Sequence, residues 1–345
     1  MTKLTIINDT HLGVSRSSGT TKESAANLNR WQFEQFSKLL EAANGSDLLI
    51  NGDLFDRFEI SKAVEFETFL RLSNWINSNP GRTLYMSAGN HDLSTNSERR
   101  SSFENLCYYL TNVHPNSVTT IIGETFTNAA DKWAVVSHMP TQELFEQELD
   151  KALAASGLKY LFVHANLMSP FAVHSDHSLN VSEEYLDKFK SAGVTVVFAH
   201  EHNRRILDNA VVVGNQIPSS ISDCLDPNPT KQYAVLEDGT LQGIDFIRIS
   251  EVYTVSDWQD LPEDKLFIRL GGQAEYEQSA EVVQTVSTLR KNSQAFVISN
   301  AVRVAQVTGL EAQDQGLESL DVRQMILDEL PAELAKRFKE LTDHD

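Results

Sequence analysis

Residues 83–93 read TLYMSAGNHDL: an apolar run, Leu84-Tyr85-Met86, then Ala88-Gly89, then three polar side chains, Asn90, His91 and Asp92. A run this short, rich in aromatic and aliphatic types, has the length of a strand buried on both faces. The arrangement recurs along the chain. Residues 4–7 precede Asp9 and His11, 48–50 precede Asp53 and Asp56, 160–163 precede His164, and 194–198 precede His200 and His202. Residues 133–136 form a further run, followed by His138. Amphipathic stretches lie between them: residues 26–43 carry Leu28, Trp31, Phe36, Leu39 and Leu40, and residues 61–77 carry Val64, Phe66, Phe69, Leu72 and Trp75 near helical spacing. Strands alternating with helices predict an α/β layered domain over residues 1–250, and the turn Asp238-Gly239 predicts a hairpin closing one side of it.

The chain has 345 residues, 41% hydrophobic and 22% charged, which fits one large soluble domain and a smaller one. No stretch approaches the ~18 consecutive apolar residues of a membrane span. The start, MTKLTIIND, lacks the layout of a signal peptide, so the expectation is a cytoplasmic protein, or one of the host cytoplasm if a phage encodes it. Cys107 and Cys224 are far apart and form no CxxC, which argues against a disulfide framework or a cysteine metal site. The formal net charge is −19, and residues 251–345 hold 18 acidic and 9 basic side chains. Such a surface repels phosphate backbones at long range, so a polyanion should bind the N-terminal three quarters.

After residue 255 the pattern changes. Residues 266–270 and 295–299 flank a helix-like stretch, 280–291, in which Val283, Val286 and Leu289 share a face; together they predict a small α+β unit over 255–307. Residues 308–316 read as a linker. In the tail, 316–345, Val322, Ile326 and Leu330 precede Pro331, and Leu334, Phe338 and Leu341 follow it, which predicts two short helices. There are no internal repeats.

Nine groups able to bind metal or move protons thus follow five strands: Asp9, His11, Asp53, Asp56, Asn90, His91, His164, His200 and His202. In open α/β sheets the carboxyl ends of strands form the site crevice, so residues remote in sequence converge there. Imidazole with carboxylate suits manganese, iron or zinc better than calcium or magnesium. Asp9/His11 and His200/His202, each with one intervening residue, present both side chains to one side of extended chain. Seven ligands are too many for one ion and about right for two, if one carboxylate bridges. Two cations ~3.5–4 Å apart generate a nucleophile from water and clamp phosphoryl oxygens, which points to phosphate-ester hydrolysis.

Asp9-Thr10-His11, Gly52-Asp53-Leu54-Phe55-Asp56, Gly89-Asn90-His91-Asp92, His164 and His200-Glu201-His202, in that order, resemble the signature of calcineurin-like metallophosphoesterases. The resemblance implies a two-sheet α/β sandwich with two divalent cations, Mn2+ first, with Fe2+ or Zn2+ as alternatives. Asp9, His11 and His202 would hold one; Asn90, His164 and His200 the other; Asp53 would bridge. His91 would face the substrate, with Asp56 orienting it. Gly89 would let the chain turn off its strand. One departure is Ala199, where the family usually has Gly; Ala costs little unless φ must be positive.

The flanks Asp9–Gly13 and Gly52–Asp56 resemble, more narrowly, the SbcD-type nuclease subunits of double-strand-break-processing complexes. That implies DNA as substrate, a capping domain at 255–307, and a tail, 316–345, docking on the coiled coil of an SbcC-like ATPase; a homodimer stays open. Arg16, Arg57, Arg99, Arg100, Arg204 and Arg205 lie just beyond motif residues, where cations would hold flanking phosphates. His174 and His177 follow His164 and read first as surface residues; His138 falls outside the ligand set. The alternative is a stand-alone phosphodiesterase or phosphatase, which the −19 charge favours mildly. A scaffold with a vestigial site would have lost ligands, and no motif position is missing.

Overall fold

Along each apolar run, alternate residues bury against different layers. Leu49 packs with Leu4, Ile6, Tyr85, Trp133, Phe162 and Val197. Its neighbours Leu48 and Ile50 face the other way, toward Phe36, Leu72 and Phe103. In the same manner Phe162 faces inward while Leu161 and Val163 join Phe145, Leu149 and Phe189. This period of two explains why the strands read as unbroken apolar runs: both faces are covered. The computed structural model describes residues 2–14, 22–93, 99–169, 178–260, 265–292 and 295–305. Arg16, His174, His177 and the tail lie outside the described residues.

The layers follow from that alternation. One six-stranded sheet runs Thr240–Arg248, Thr230–Glu237, Leu4–Ile7, Asp47–Asn51, Leu84–Ser87, Val118–Ile121 from edge to edge. Its hairpin pairs antiparallel with Leu4–Ile7, and the remaining pairs are parallel. A second six-stranded sheet runs Arg205–Ile206, Ala210–Val212, Thr195–Ala199, Tyr160–His164, Trp133–Val136, Thr125–Asn128. The two sheets bury a shared core around Trp133. Helices Lys22–Ala42, Lys62–Ser78 and Ser102–Val113 cover the outer face of the first sheet, and Gln142–Ala154 and Glu183–Ser191 that of the second. The result is the expected two-sheet α/β sandwich.

Strands Tyr253–Asp257, Phe267–Gly271 and Val297–Asn300 form a separate parallel sheet, with the helix Ser279–Asn292 in the crossover. The helix buries Val282, Val286 and Leu289, whereas Val283 is exposed. The expected face is therefore corrected by one residue: 282, 286 and 289 keep the i, i+4, i+7 spacing of a core stripe, which 283 breaks. This layer meets the sandwich at Trp31, whose ring lies 6.0 Å from Phe267 and 5.9 Å from Phe296.

Trp133→Ala should cost about 3–5 kcal/mol, the range for emptying a large aromatic site. Urea unfolding measures this directly. A loss under about 1 kcal/mol, the level of an ordinary surface change, would contradict a stability-bearing core between the sheets.

Candidate metal centre

Where the parallel strands end, the chain leaves each sheet through tightly joined turns. Asp9 N–H donates to the Gly52 carbonyl and His11 N–H to the Asp53 carbonyl, both at 3.1 Å, and Gly52 N–H donates to Ser87 at 3.0 Å. Asp9, His11, Asp53 and His200 all have positive φ, 50°, 44°, 50° and 81°. Non-glycine residues hold this conformation only where surrounding contacts over-determine it, and such strain gathers at functional sites. The two motif glycines are required by close approach. A Cβ on Gly52 would sit 2.2 Å from His164 Nδ1, and one on Gly89 would sit 2.2 Å from Asp53 Oδ1. Gly89 shows no left-handed φ, so its task is to make room for Asp53 and not to turn the chain. Ala199 has no positive φ either; the strain falls on His200, and the alanine fits.

Three groupings of donor atoms result among the described residues. Asp9, His11 and His202 offer atoms within 4.8 Å of one another, and so do Asp53, His164 and His200. Asn90 joins the second, its Oδ1 lying 3.0 Å from His164 Nε2 and 3.1 Å from His200 Nδ1. In the first, His11 Nε2 and His202 Nε2 face each other at 3.1 Å. Asp53 lies between: its Oδ2 is 3.3 Å from His164 Nε2, 3.9 Å from His11 Nε2 and 4.0 Å from His91 Nε2. All seven residues expected to hold metal are thus brought together, with Asp53 at the junction. His91 also falls in a grouping with His11 and Asp53, but its side chain is 34% exposed where Asp53 is 1% exposed.

Contacts behind the ring decide which nitrogen faces inward. A carbonyl oxygen only accepts, so His164 Nδ1–H donates to Asn51 at 3.2 Å and His91 Nδ1–H to the main chain of Asp56 at 2.7 Å. The Asp223 carboxylate accepts from His202 Nδ1–H at 2.7 Å. Each ring therefore turns Nε2 toward the site, as metal-binding histidines do. Burial pushes His11 down to about 4, so it is a neutral lone-pair donor near pH 7. Burial opposes charge on Asp53 and His164 as well, yet their mutual attraction wins. It holds the Asp53 carboxyl well below the usual range and lifts His164 to about 9. Imidazole nitrogens, carboxylates and one amide oxygen, gathered within bonding distance of one another, fit two borderline divalent cations.

Asp56 meets His91 through its main-chain oxygen, which accepts from His91 Nδ1–H; its carboxylate lies 3.9 Å from His11 Nδ1 and 3.7 Å from Arg57. Arg205 pairs with Glu201, Arg99 with Glu59, and Arg204 lines a cleft with Gln232 and Gly243 whose lining includes none of the imidazoles. His138 enters no donor grouping among the described residues; its N–H donates to Ala88 at 3.0 Å.

Two residues were missed or underrated from sequence. Asp223 lies 21 positions beyond its partner, with no spacing to mark it. Asp92 is buried and accepts from Gly89, Phe55 and Leu54 N–H at 2.9, 3.2 and 3.4 Å, tying the two glycine-led loops together. Burial, then repulsion from Asp53, raises its carboxyl to about 7. Gly89→Ala should displace Asp53 and lower Mn2+-dependent hydrolysis of bis-p-nitrophenyl phosphate by about 100-fold, the scale of a ~1 Å misplacement. An unchanged rate would show that the Asp53 loop yields freely.

The sequence model for calcineurin-like phosphoesterases matches residues 2–234. No curated protein sequence matches the chain. Among solved structures, a dimetal phosphatase from Danio rerio is similar at 11% identity and TM-score 0.39, over 72% of this chain and 97% of that one. A cold-active protein-tyrosine phosphatase from a Shewanella species is 12% identical, TM-score 0.33, over 70% of this chain and 80% of its own. Purple acid phosphatase from yellow lupin, Lupinus luteus, is 11% identical, TM-score 0.37, over 71% of this chain and 51% of its own. With about two thirds of its length matched by the family model and the ordered donors at its strand ends, the chain belongs to the calcineurin-like phosphoesterases, hydrolases that use metal ions.

Proposed function

We propose that the chain is a DNA nuclease, hydrolysing phosphodiesters with Mn2+ as the subunit that partners an SbcC-like coiled-coil ATPase. The observation carrying this reading is the wall beside His91. The motif flanks that resemble SbcD-type nucleases meet there: Leu12 bridges Phe55, Leu12 N–H donates to Leu54 at 2.9 Å, and Asp56 N–H donates back to Leu12 at 3.1 Å. Beyond it, Ser102 N–H donates to Phe58 and Ile60 N–H to Ser102, which sets residues 99–102 against 58–60. Arg99 lies over the Phe58 ring and Arg100 over that of Tyr108, with Arg57 next to Asp56. Cations interleaved with rings suit a nucleic-acid strand, whose phosphates and bases they meet in turn.

When bound, two divalent cations supply positive charge against the phosphoryl oxygens and make water a competent nucleophile near neutral pH. The chain's own residues do the rest. Asp9, His11 and His202 would hold one cation and Asn90, His164 and His200 the other, with Asp53 between them. His91, held at Nδ1 by Asp56, presents Nε2 outward; protonated there, it hands a proton to the leaving oxygen or opposes charge on the phosphoryl group. Arg100, together with Arg57 and Arg99 once they exchange Asp56 and Glu59 for phosphate, would hold flanking phosphates.

Linear DNA incubated with Mn2+ should be degraded by the full chain, and His91→Ala should slow this about 10²–10⁴-fold, the range for a positioned general acid. Hydrolysis of bis-p-nitrophenyl phosphate with no cleavage of any DNA would instead establish a stand-alone phosphodiesterase. For the partner, co-purification with a coiled-coil ATPase should be lost on removing residues 316–345; retention would refute docking through the tail.

A further inference from the structure

His202 is the more open imidazole of the first grouping: its side chain is 26% exposed, against 2% for His11. A ring with space on one side keeps rotamer freedom that a cation position does not tolerate, so its restraint must come from behind. Asp223 supplies it. One carboxylate oxygen accepts from His202 Nδ1–H at 2.7 Å. The other accepts from Ser219 N–H at 2.7 Å, the Ser219 hydroxyl at 3.0 Å and Ser220 N–H at 3.0 Å. A carboxylate bonded on both oxygens cannot swing away.

The turn that carries Asp223 is itself anchored. Next to it, Cys224 is buried in an apolar cluster with Val14, Leu28, Ile249 and Phe267. The main chain of His202 is pinned as well: its carbonyl accepts from Lys231 Nζ at 3.1 Å and Asn215 N–H at 3.3 Å, and a Cβ on Gly214 would come within 2.9 Å of it. In the second grouping, a main-chain carbonyl, that of Asn51, accepts from His164 Nδ1–H. The group behind His202 is thus a carboxylate and the one behind His164 a neutral carbonyl.

We infer that Asp223 is a positioning residue that sets the divalent-cation affinity of the Asp9/His11/His202 position separately from that of the Asp53/Asn90/His164/His200 position. The inference rests on the metal-centre reading above, and needs no assumption about the substrate.

The test is calorimetric titration of chelator-treated full-length chain with Mn2+, for wild type, Asp223→Ala and Asp223→Asn. Wild type should show two binding events. Asp223→Ala should weaken one of them about 10–100-fold, as loss of an outer partner does, and leave the other unchanged. Asp223→Asn keeps an oxygen that accepts from Nδ1–H, so it should fall between. Imidazole nitrogen NMR should find His202 as the Nδ1–H tautomer in wild type and as a mixture in Asp223→Ala. Should the alanine variant fail to fold, the asparagine variant carries the comparison. Equal weakening of both events, or of neither, would overturn the inference while leaving the metal centre standing; no Mn2+ uptake by wild type would overturn both.

Discussion

Asp53 Oδ2 is buried and faces imidazole nitrogens of His164, His11 and His91 at 3.3, 3.9 and 4.0 Å. A carboxylate removed from water is costly unless positive charge compensates it, and here, among the described residues, the imidazoles around it carry or share that charge. The rest of the site serves this approach. Gly52 lets His164 reach in, Gly89 lets the Asp53 oxygen occupy its place, and Asp92 joins the two loops by three main-chain N–H groups. Four of the donors sit at positive φ, a strained backbone that persists only when neighbours enforce it.

That enforcement comes from the sandwich. The central strands that carry the donors are held on both faces, and the inter-sheet core around Trp133 makes their ends a rigid rim. Four-layer packing lets five remote segments place side chains within bonding distance, which no single loop could do with comparable precision. Outside the rim the balance changes. Arg99 and Arg205 pair with Glu59 and Glu201, and on a chain of charge −19 any polyanion would be held by local contacts, since attraction beyond the ~8 Å screening length at physiological salt is absent.

Much of this was legible in the sequence because it rests on periodicity and spacing. Strands buried on both faces announce themselves as unbroken apolar runs, and polar residues directly after them mark the rim. The edge strands Val118–Ile121 and Thr125–Asn128 did not stand out, since VTTI and TFTN carry little apolar signal when one side faces solvent. Val283 was set on the wrong side of its helix because three valines permit two registers, and only packing against Ile268 and Ile298 chooses between them. Support contacts were the least legible. Asp223 behind His202 depends on a long-range turn, the use of the Asp56 main-chain oxygen behind His91 depends on backbone geometry although the residue itself is legible, and Gly89, whose sequence suggests a turn, is constrained by an atom of Asp53.

The central claim is that Asp53 lies between two cation positions. Electron paramagnetic resonance of the chain loaded with Mn2+ tests it, because two manganese ions joined by one carboxylate couple magnetically and separate ions do not. The account predicts a spin-coupled spectrum at two equivalents that Asp53→Ala abolishes. A spectrum of uncoupled ions at saturation, or coupling that survives in Asp53→Ala, would contradict it.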